Sequence, residues 1–190
     1  MNALRQVNAF ATRFALPTAV AVGATKNCVC DYAVQKATEE RVCWRRNLCF
    51  TAFGAIYVGG VQYFIFNRIF PRLIPGLAAT RAERTKSAVA TAVVLDNGVH
   101  IPFLYLPGFY CMREAAYSPP ERPAAETIDA ALQNYVANVK QDALMQAGVL
   151  VPVQIVNFAF MPPHMRVPLV VLGGAVWVSL LSFFRGANAS

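Results

Sequence analysis

The apolar residues of this chain are gathered into long blocks, and these blocks restrict the fold more than any other feature. They cover residues 14–34, 47–66, 87–112, 143–163 and 167–184, and only 14% of all residues are charged. Soluble domains carry roughly 25% charged residues, whereas about 20 consecutive apolar residues cross a bilayer core as a helix. The blocks therefore predict an all-α fold, a polytopic membrane helix bundle with about four transmembrane helices. A soluble protein with buried helices is the alternative.

Two further helices are predicted within this single membrane domain, residues 1–190, besides the bundle of residues 15–184. The amino-terminal segment, residues 1–14, contains Arg5 and Arg13, no acid, and a helical stripe of apolar residues. Such a segment is typical of a mitochondrial targeting sequence or of an uncleaved amphipathic helix on the membrane surface. Residues 116–147 are polar and predict a loop and an amphipathic helix, interfacial or packed on a partner, before the last spans.

Small residues recur every four positions along the first two predicted spans. A step of four nearly coincides with one helical turn, and a row of small side chains lets a neighbouring helix approach closely. We therefore expect helix packing at Ala19, Gly23, Ala55 and Gly59.

Polar residues inside the apolar blocks are the candidate functional residues. An ionisable group in a bilayer is costly unless it is paired, and such groups mark functional pathways. We expect one intramembrane cluster, structural or pore-lining, that unites Asp31, Gln35, Asp96, Asn97, Gln154, Asn157 and Arg166. Within it, Arg166 is expected to meet an acid or the carbonyls of a helix end.

Prolines and interfacial residues mark the boundaries of the predicted helices. Proline fits the first turn of a helix but not its interior, so we expect a kink at Pro102 and a turn at Pro162 and Pro163. Tryptophan and basic residues favour the membrane boundary, and the predicted interfacial anchors are Trp44, Arg45, Arg46 and Trp177.

Several of these motifs resemble one protein family. A Gln-x-x-Asn-Phe, then a Pro, an Arg, a Trp and Leu-Ser, occur at Gln154, Asn157, Phe158, Pro162, Arg166, Trp177, Leu181 and Ser182. An Asp-x-x-x-Gln occurs at Asp31 and Gln35. Over residues 15–184 the chain resembles the family of the mitochondrial inner-membrane protein Mpv-seventeen and the peroxisomal membrane protein of twenty-two kilodaltons. It is a divergent member, because the family's Gly-Pro-x-x-His-x-Trp-Tyr is replaced at Gly59 to Phe66.

The resemblance implies a channel-like protein that passes small solutes across the mitochondrial inner membrane or the peroxisomal membrane. The divergence of the second span favours another role: a non-enzymatic accessory subunit docked in a larger complex of the mitochondrial inner membrane, such as a respiratory assembly. The expected partners are membrane lipids and either other membrane subunits or further copies of the chain. Basic residues lie at the ends of apolar blocks rather than on one polar face, so nucleic acid is not expected.

Catalysis is not expected, because the sequence lacks a nucleophile elbow, a phosphate loop and a dinucleotide fingerprint. The five cysteines lack the spacing of common zinc sites and are interpreted as reduced packing residues. No metal and no cofactor are expected, although a bound lipid such as cardiolipin is compatible with the membrane setting.

Overall fold

The fold is a bundle of long helices. The computed structural model describes the backbone of residues 2–77 and 83–186 and the side chains of residues 6, 9–77 and 83–175. The helices are α1 (Asn2–Arg13), α2 (Ala15–Thr38), α3 (Trp44–Leu73), α4 (Lys86–Tyr117), α5 (Ala124–Phe160) and α6 (Pro163–Gly186). The described residues contain no strand, which confirms the predicted all-α class.

Among the described residues, three helices are long and apolar enough to cross a membrane by length and composition: α3, α4 and α5. With 30, 32 and 37 residues they measure about 45, 48 and 55 Å at 1.5 Å per residue, more than the roughly 30 Å of a bilayer core. The expected first span, α2, does not meet the same criteria, because a row of polar residues lowers its hydropathy. It nevertheless packs along α3 as part of the bundle.

The contact between α2 and α3 is a close approach of two backbones. Every fourth residue of α2 is buried, and these residues are Ala19, Gly23, Asn27, Asp31 and Gln35. A Cβ on Gly23 would lie 2.4 Å from the carbonyl oxygen of Gly54, and a Cβ on Gly59 would lie 2.4 Å from the Cα of Val20. The predicted packing at Ala19, Gly23 and Gly59 is therefore confirmed.

Ala55 was the wrong choice for the fourth packing position. Gly54 is buried at the crossing, whereas Ala55 is only half-buried. The reason is that α3 is π-helical over Gly54–Val61, where backbone hydrogen bonds join residues five apart rather than four. This spacing places Gly54 and Gly59 on one face, and the α-helical spacing assumed from the sequence does not apply.

Pro102, where a kink is expected, lies within a continuous α4. The helix runs from Lys86 to Tyr117 and becomes π-helical over Asp96–Tyr105, with Pro102 inside that stretch. A proline inside an α-helix removes one hydrogen bond and clashes with the carbonyl four residues before it. The wider π turns are one of the recognised ways in which a helix accommodates such a residue.

The polar helix predicted before the last spans and the apolar block that follows it are one helix, α5. Its first half continues into the second without a turn, so the prediction of a helix separate from the following span is wrong. The expected turn at Pro162 and Pro163 is present, since α5 ends at Phe160 and α6 begins at Pro163.

The amino-terminal helix α1 leaves Phe10 exposed and buries Ala11. Its end contacts the start of α6 through Thr12 and His164, whose Oγ1 and Nε2 lie 3.5 Å apart. The main apolar core lies close to this end of the bundle, where Phe66, Phe70 and Phe158 pack together.

Candidate functional site

Asp31 is the centre of a first polar network, which joins α2 to the start of α3. Its carboxylate accepts hydrogen bonds from Arg46 Nε at 2.8 Å, from Gln35 Nε2 at 2.6 Å and from Asn47 Nδ2 at 3.1 Å. Gln35 also accepts from the backbone N–H of Cys43, and Arg46 pairs with Glu39 as well. A buried ion pair is stable only when further hydrogen bonds satisfy its remaining atoms, and this network supplies them.

Asp96 is the centre of a second network, which joins α4 to α5 and α3. Its carboxylate binds His100 Nδ1 at 2.7 Å and accepts from Gln154 Nε2 at 2.5 Å. Asn157 donates to Gln154 Oε1 at 2.9 Å, and Tyr57 Oη lies 3.3 Å from the other ring nitrogen of His100. The network therefore holds three helices together through buried side chains.

Arg166 lies in a third place and bonds to backbone carbonyls. It is only 1% exposed, and its guanidinium donates to the carbonyls of Phe66 at 2.7 Å and Leu77 at 3.5 Å. Close by, Arg84 donates to the carbonyls of Phe158 and Met161 at the end of α5. Arg166 therefore meets backbone carbonyls rather than an acid, but these belong to Phe66 inside α3 and to Leu77 beyond its end, not to a helix end.

The prediction of one polar cluster is therefore wrong, because the same residues form separate groups. Asp31 and Gln35 belong to one network, and Asp96, Gln154 and Asn157 to another. Asn97 joins neither, since its amide donates to the carbonyl of Val93 in its own helix. The spacing of residues in the sequence shows which side chains share a face of one helix. It does not show which residues of two different helices lie at the same level along the bundle.

The sequence reasoning missed several residues of these networks. His100 follows Asp96 by four positions, a spacing that brings two side chains together on a helix, so this pair was detectable. Tyr57 and Asn47 carried no comparable signal, because their partners lie on other helices.

The four predicted interfacial anchors have different roles. Trp44 is exposed and stacks on Tyr32, as expected of an interfacial aromatic residue. Arg45 donates to the carbonyls of Ala115 and Ser118, where it caps the end of α4. Arg46 is buried in the Asp31 network, so its assignment as an anchor is wrong. Trp177 lies outside the described side chains.

A small cavity lies inside the bundle. Its volume is about 50 Å³, and its walls come from all five long helices. The polar residues in the wall are Lys26, Gln62, His100 and Gln146, and the apolar ones include Val58, Ile101, Leu150 and Val170. A water molecule needs roughly 10–15 Å³ of such volume, so the cavity has room for several.

A row of apolar side chains is exposed on the polar first half of α5. Ile128, Leu132 and Val136 follow each other at intervals of four and are each more than 40% exposed. This docking stripe, as we name these three residues, has acids beside it: Glu126 and Asp129 are exposed as well. A neighbouring face of α5 packs against α4, where Tyr110 donates to Asp142.

The described residues contain no group of three His, Cys, Asp or Glu side chains that could hold a metal ion. The five cysteines are free thiols, four of them half-buried, but Cys43 is exposed, so its interpretation as a packing residue is wrong.

A bundle of long apolar helices, tied together by buried polar networks, defines an integral membrane protein. The model of the Mpv17 / PMP22 family matches residues 122–182, which comprise α5 and most of α6. Over these residues the chain is similar to that family, and the resemblance predicted from Gln154, Asn157 and Arg166 is confirmed. No curated protein and no solved structure matches the chain.

Proposed function

We propose that this protein is a non-enzymatic accessory subunit of a larger complex in an organelle membrane, docked through the stripe on α5. The observation that carries the proposal is the exposure of Ile128, Leu132 and Val136 on a stretch of helix that is otherwise polar. Val136 is 71% exposed, and neighbouring exposed apolar side chains that form one patch mark interaction sites.

The stripe lies near the charged end of the bundle rather than at its apolar middle. Asn134, within the stripe's range, reaches Glu114 near the end of α4, at 3.5 Å. Arg45, beside the exposed Trp44, bonds to Ala115 and Ser118 at the same end of α4. We therefore infer that lipid hydrocarbon tails do not bury the apolar side chains of the stripe.

The charge beside the stripe favours a protein over a lipid surface as the partner. Glu126 and Asp129 border the stripe, and Gln133 donates to Asp129 at 2.8 Å. The surface of an anionic leaflet repels acids and attracts basic segments. The partner that fits is a helix with an apolar face and basic residues at its rim, because complementary charges favour association.

The buried networks support an accessory role in a second way. The carboxylates of Asp31 and Asp96 bond to protein side chains, so their polar groups serve to fasten helices. In a bilayer, helices associate through close packing and interhelical hydrogen bonds. A chain held in this way offers its partner a rigid surface.

A solute pathway is the second candidate function, and the cavity is the observation that favours it. Four polar side chains from four helices line the cavity, and intramembrane polar groups mark such pathways. Flux of small solutes into liposomes that contain the purified chain tests this candidate, with Gln62→Leu and Gln146→Leu expected to reduce the flux.

For the membrane itself we propose the mitochondrial inner membrane, with the peroxisomal membrane as the alternative. The apolar helices and the family match fit an organelle membrane. Support for mitochondria comes from α1, which is amphipathic, carries Arg5 and Arg13 and contains no acid. Imaging of the full chain against markers of both organelles tests this choice.

Site-specific cross-linking tests the docking proposal. A photoreactive residue at Leu132 or Val136 is expected to capture one membrane protein in native membranes, in stoichiometric yield. The matched control is Ile56, an equally exposed apolar residue of the membrane-spanning α3, which is expected to capture lipid or nothing. Capture of lipid alone at all three positions, or of a second copy of this chain, would contradict docking to another subunit.

A further inference from the structure

We propose that the cavity inside the bundle is a binding site for a small monoanion, of the size of formate. Lys26 supplies the positive charge, and the amides of Gln62 and Gln146 supply hydrogen bonds. The site is independent of the docking stripe and exists whether or not solutes pass through the bundle.

Lys26 is a cation near the middle of α2 without an acidic partner. Its Nζ donates to the amide oxygen of Asn27 at 3.1 Å, and it forms no salt bridge among the described residues. The two buried acids among the described residues are already engaged, because Asp31 pairs with Arg46 and Asp96 binds His100. An ammonium group in an apolar bundle is costly unless it is paired, and an anion in the cavity would pair with it.

The second observation that favours an anion in the cavity is the state of two buried amides, Gln62 and Gln146. Each is only 6% exposed and lines the cavity, and neither side chain has a protein hydrogen-bond partner among the described residues. Buried amides are normally bonded, so the bonds of these two must go to the contents of the cavity. An amide N–H is a donor, and an anion accepts from it.

The shape of the cavity leaves the ammonium group open and limits the size of the ligand. Gly174 presents no side chain there: a Cβ on it would be in van der Waals contact with Lys26 Nζ, at 3.5 Å. With about 50 Å³, the cavity holds about three to five water molecules or an anion of three or four heavy atoms. Asp96 does not line the cavity, so no carboxylate in its wall repels an anion.

Thermal unfolding of the purified full chain in mild detergent tests the proposal. Sodium formate replaces sodium gluconate at constant ionic strength, since gluconate is too large for the cavity. The midpoint of unfolding is expected to rise with formate and to saturate. In Lys26→Met, the formate concentration for half of this effect is expected to rise at least tenfold. Lys36→Met, on the exposed end of the same helix, is the matched control and is expected to respond like the wild type.

The wild-type chain also provides a test that does not depend on the Lys26 variant folding. Formate and acetate are expected to stabilise it more than benzoate does, because the benzoate ring exceeds the cavity volume of about 50 Å³. Equal stabilisation by formate, benzoate and gluconate would overturn the proposal and leave a cavity that holds water only. An unchanged formate response in a folded Lys26→Met variant would overturn it as well.

Discussion

The close crossing of α2 and α3 predicts that replacing a glycine at the crossing by alanine lowers the stability of the protein. The same substitution at a glycine away from the crossing is expected to leave the stability unchanged or to raise it. In Gly23→Ala, the added Cβ would lie 2.4 Å from the carbonyl oxygen of Gly54 and 3.1 Å from the amide nitrogen of Gly59. An ordinary contact is about 3.5 Å, so the two backbones must separate by about 1 Å. Both obstacles are backbone atoms, which cannot rotate away as a side chain can.

The size of the effect follows from a matched control, Gly148→Ala. At Gly148 an added Cβ meets nothing within 4 Å. Both glycines lie inside helices, where alanine is favoured over glycine by about 1 kcal/mol, and this gain cancels between the two variants. Overpacking typically costs about 1–3 kcal/mol. Gly23→Ala is therefore expected to unfold about 1–3 kcal/mol more easily than Gly148→Ala.

Reversible unfolding in mixed micelles, followed by circular dichroism, measures this difference. Gly148→Ala is expected to be as stable as the wild type or more stable, and Gly23→Ala less stable. Equal stability of the two variants would refute the close crossing, because the contact that separates them would then be absent.

The two polar networks make further predictions. Arg46→Met leaves Asp31 buried without its cation and is expected to cost about 3–5 kcal/mol, whereas Asp31→Leu combined with Arg46→Met is expected to cost less than that single change. A double-mutant cycle measures this coupling, and additive effects would contradict a direct ion pair. Gln154→Leu removes a donor to Asp96 and is expected to cost about 1–3 kcal/mol, while Gln133→Leu on the surface stays within about 0.5 kcal/mol. Similar losses for both glutamine variants would contradict the buried network.

Periodicity within one helix was predictable from the sequence. The packing positions Ala19 and Gly23 were recognised by their spacing of four, and the structure buries both. The turn at Pro162 and Pro163 was predictable as well, because proline has few places in a helix. These features depend on local geometry, which a single sequence encodes directly.

Relations between helices were not predictable in the same way. The π-helical stretch of α3 shifts the packing position from Ala55 to Gly54, and nothing in the residue types around Gly54 indicates wide turns. The partner of Asp96 on α5, Gln154, is 58 positions away in the chain. The level along the bundle at which Gln154 faces Asp96 depends on the length of α5. The sequence predicted a boundary within that helix where the structure has none, so the first half of α5 was expected to be a separate helix, interfacial or packed on a partner.

Arg166 illustrates a further limit. Two partners were compatible with its position, an acid or carbonyls, and both satisfy a guanidinium group. The structure provides the carbonyls of Phe66, inside α3, and of Leu77, in the segment after α3. Only the three-dimensional arrangement of the chain distinguishes these partners.

The measurement that tests the accessory role most directly is native electrophoresis of a mild-detergent extract, with mass spectrometry of the co-migrating proteins. The wild-type chain is expected to migrate in a large assembly with other subunits in fixed proportion. Leu132→Glu combined with Val136→Glu is expected to release it to small mass, while Gln133→Glu, on the same exposed stretch, leaves it in the assembly. Migration of the wild-type chain as a monomer or a homo-oligomer would contradict the accessory role and leave the solute pathway as the remaining candidate.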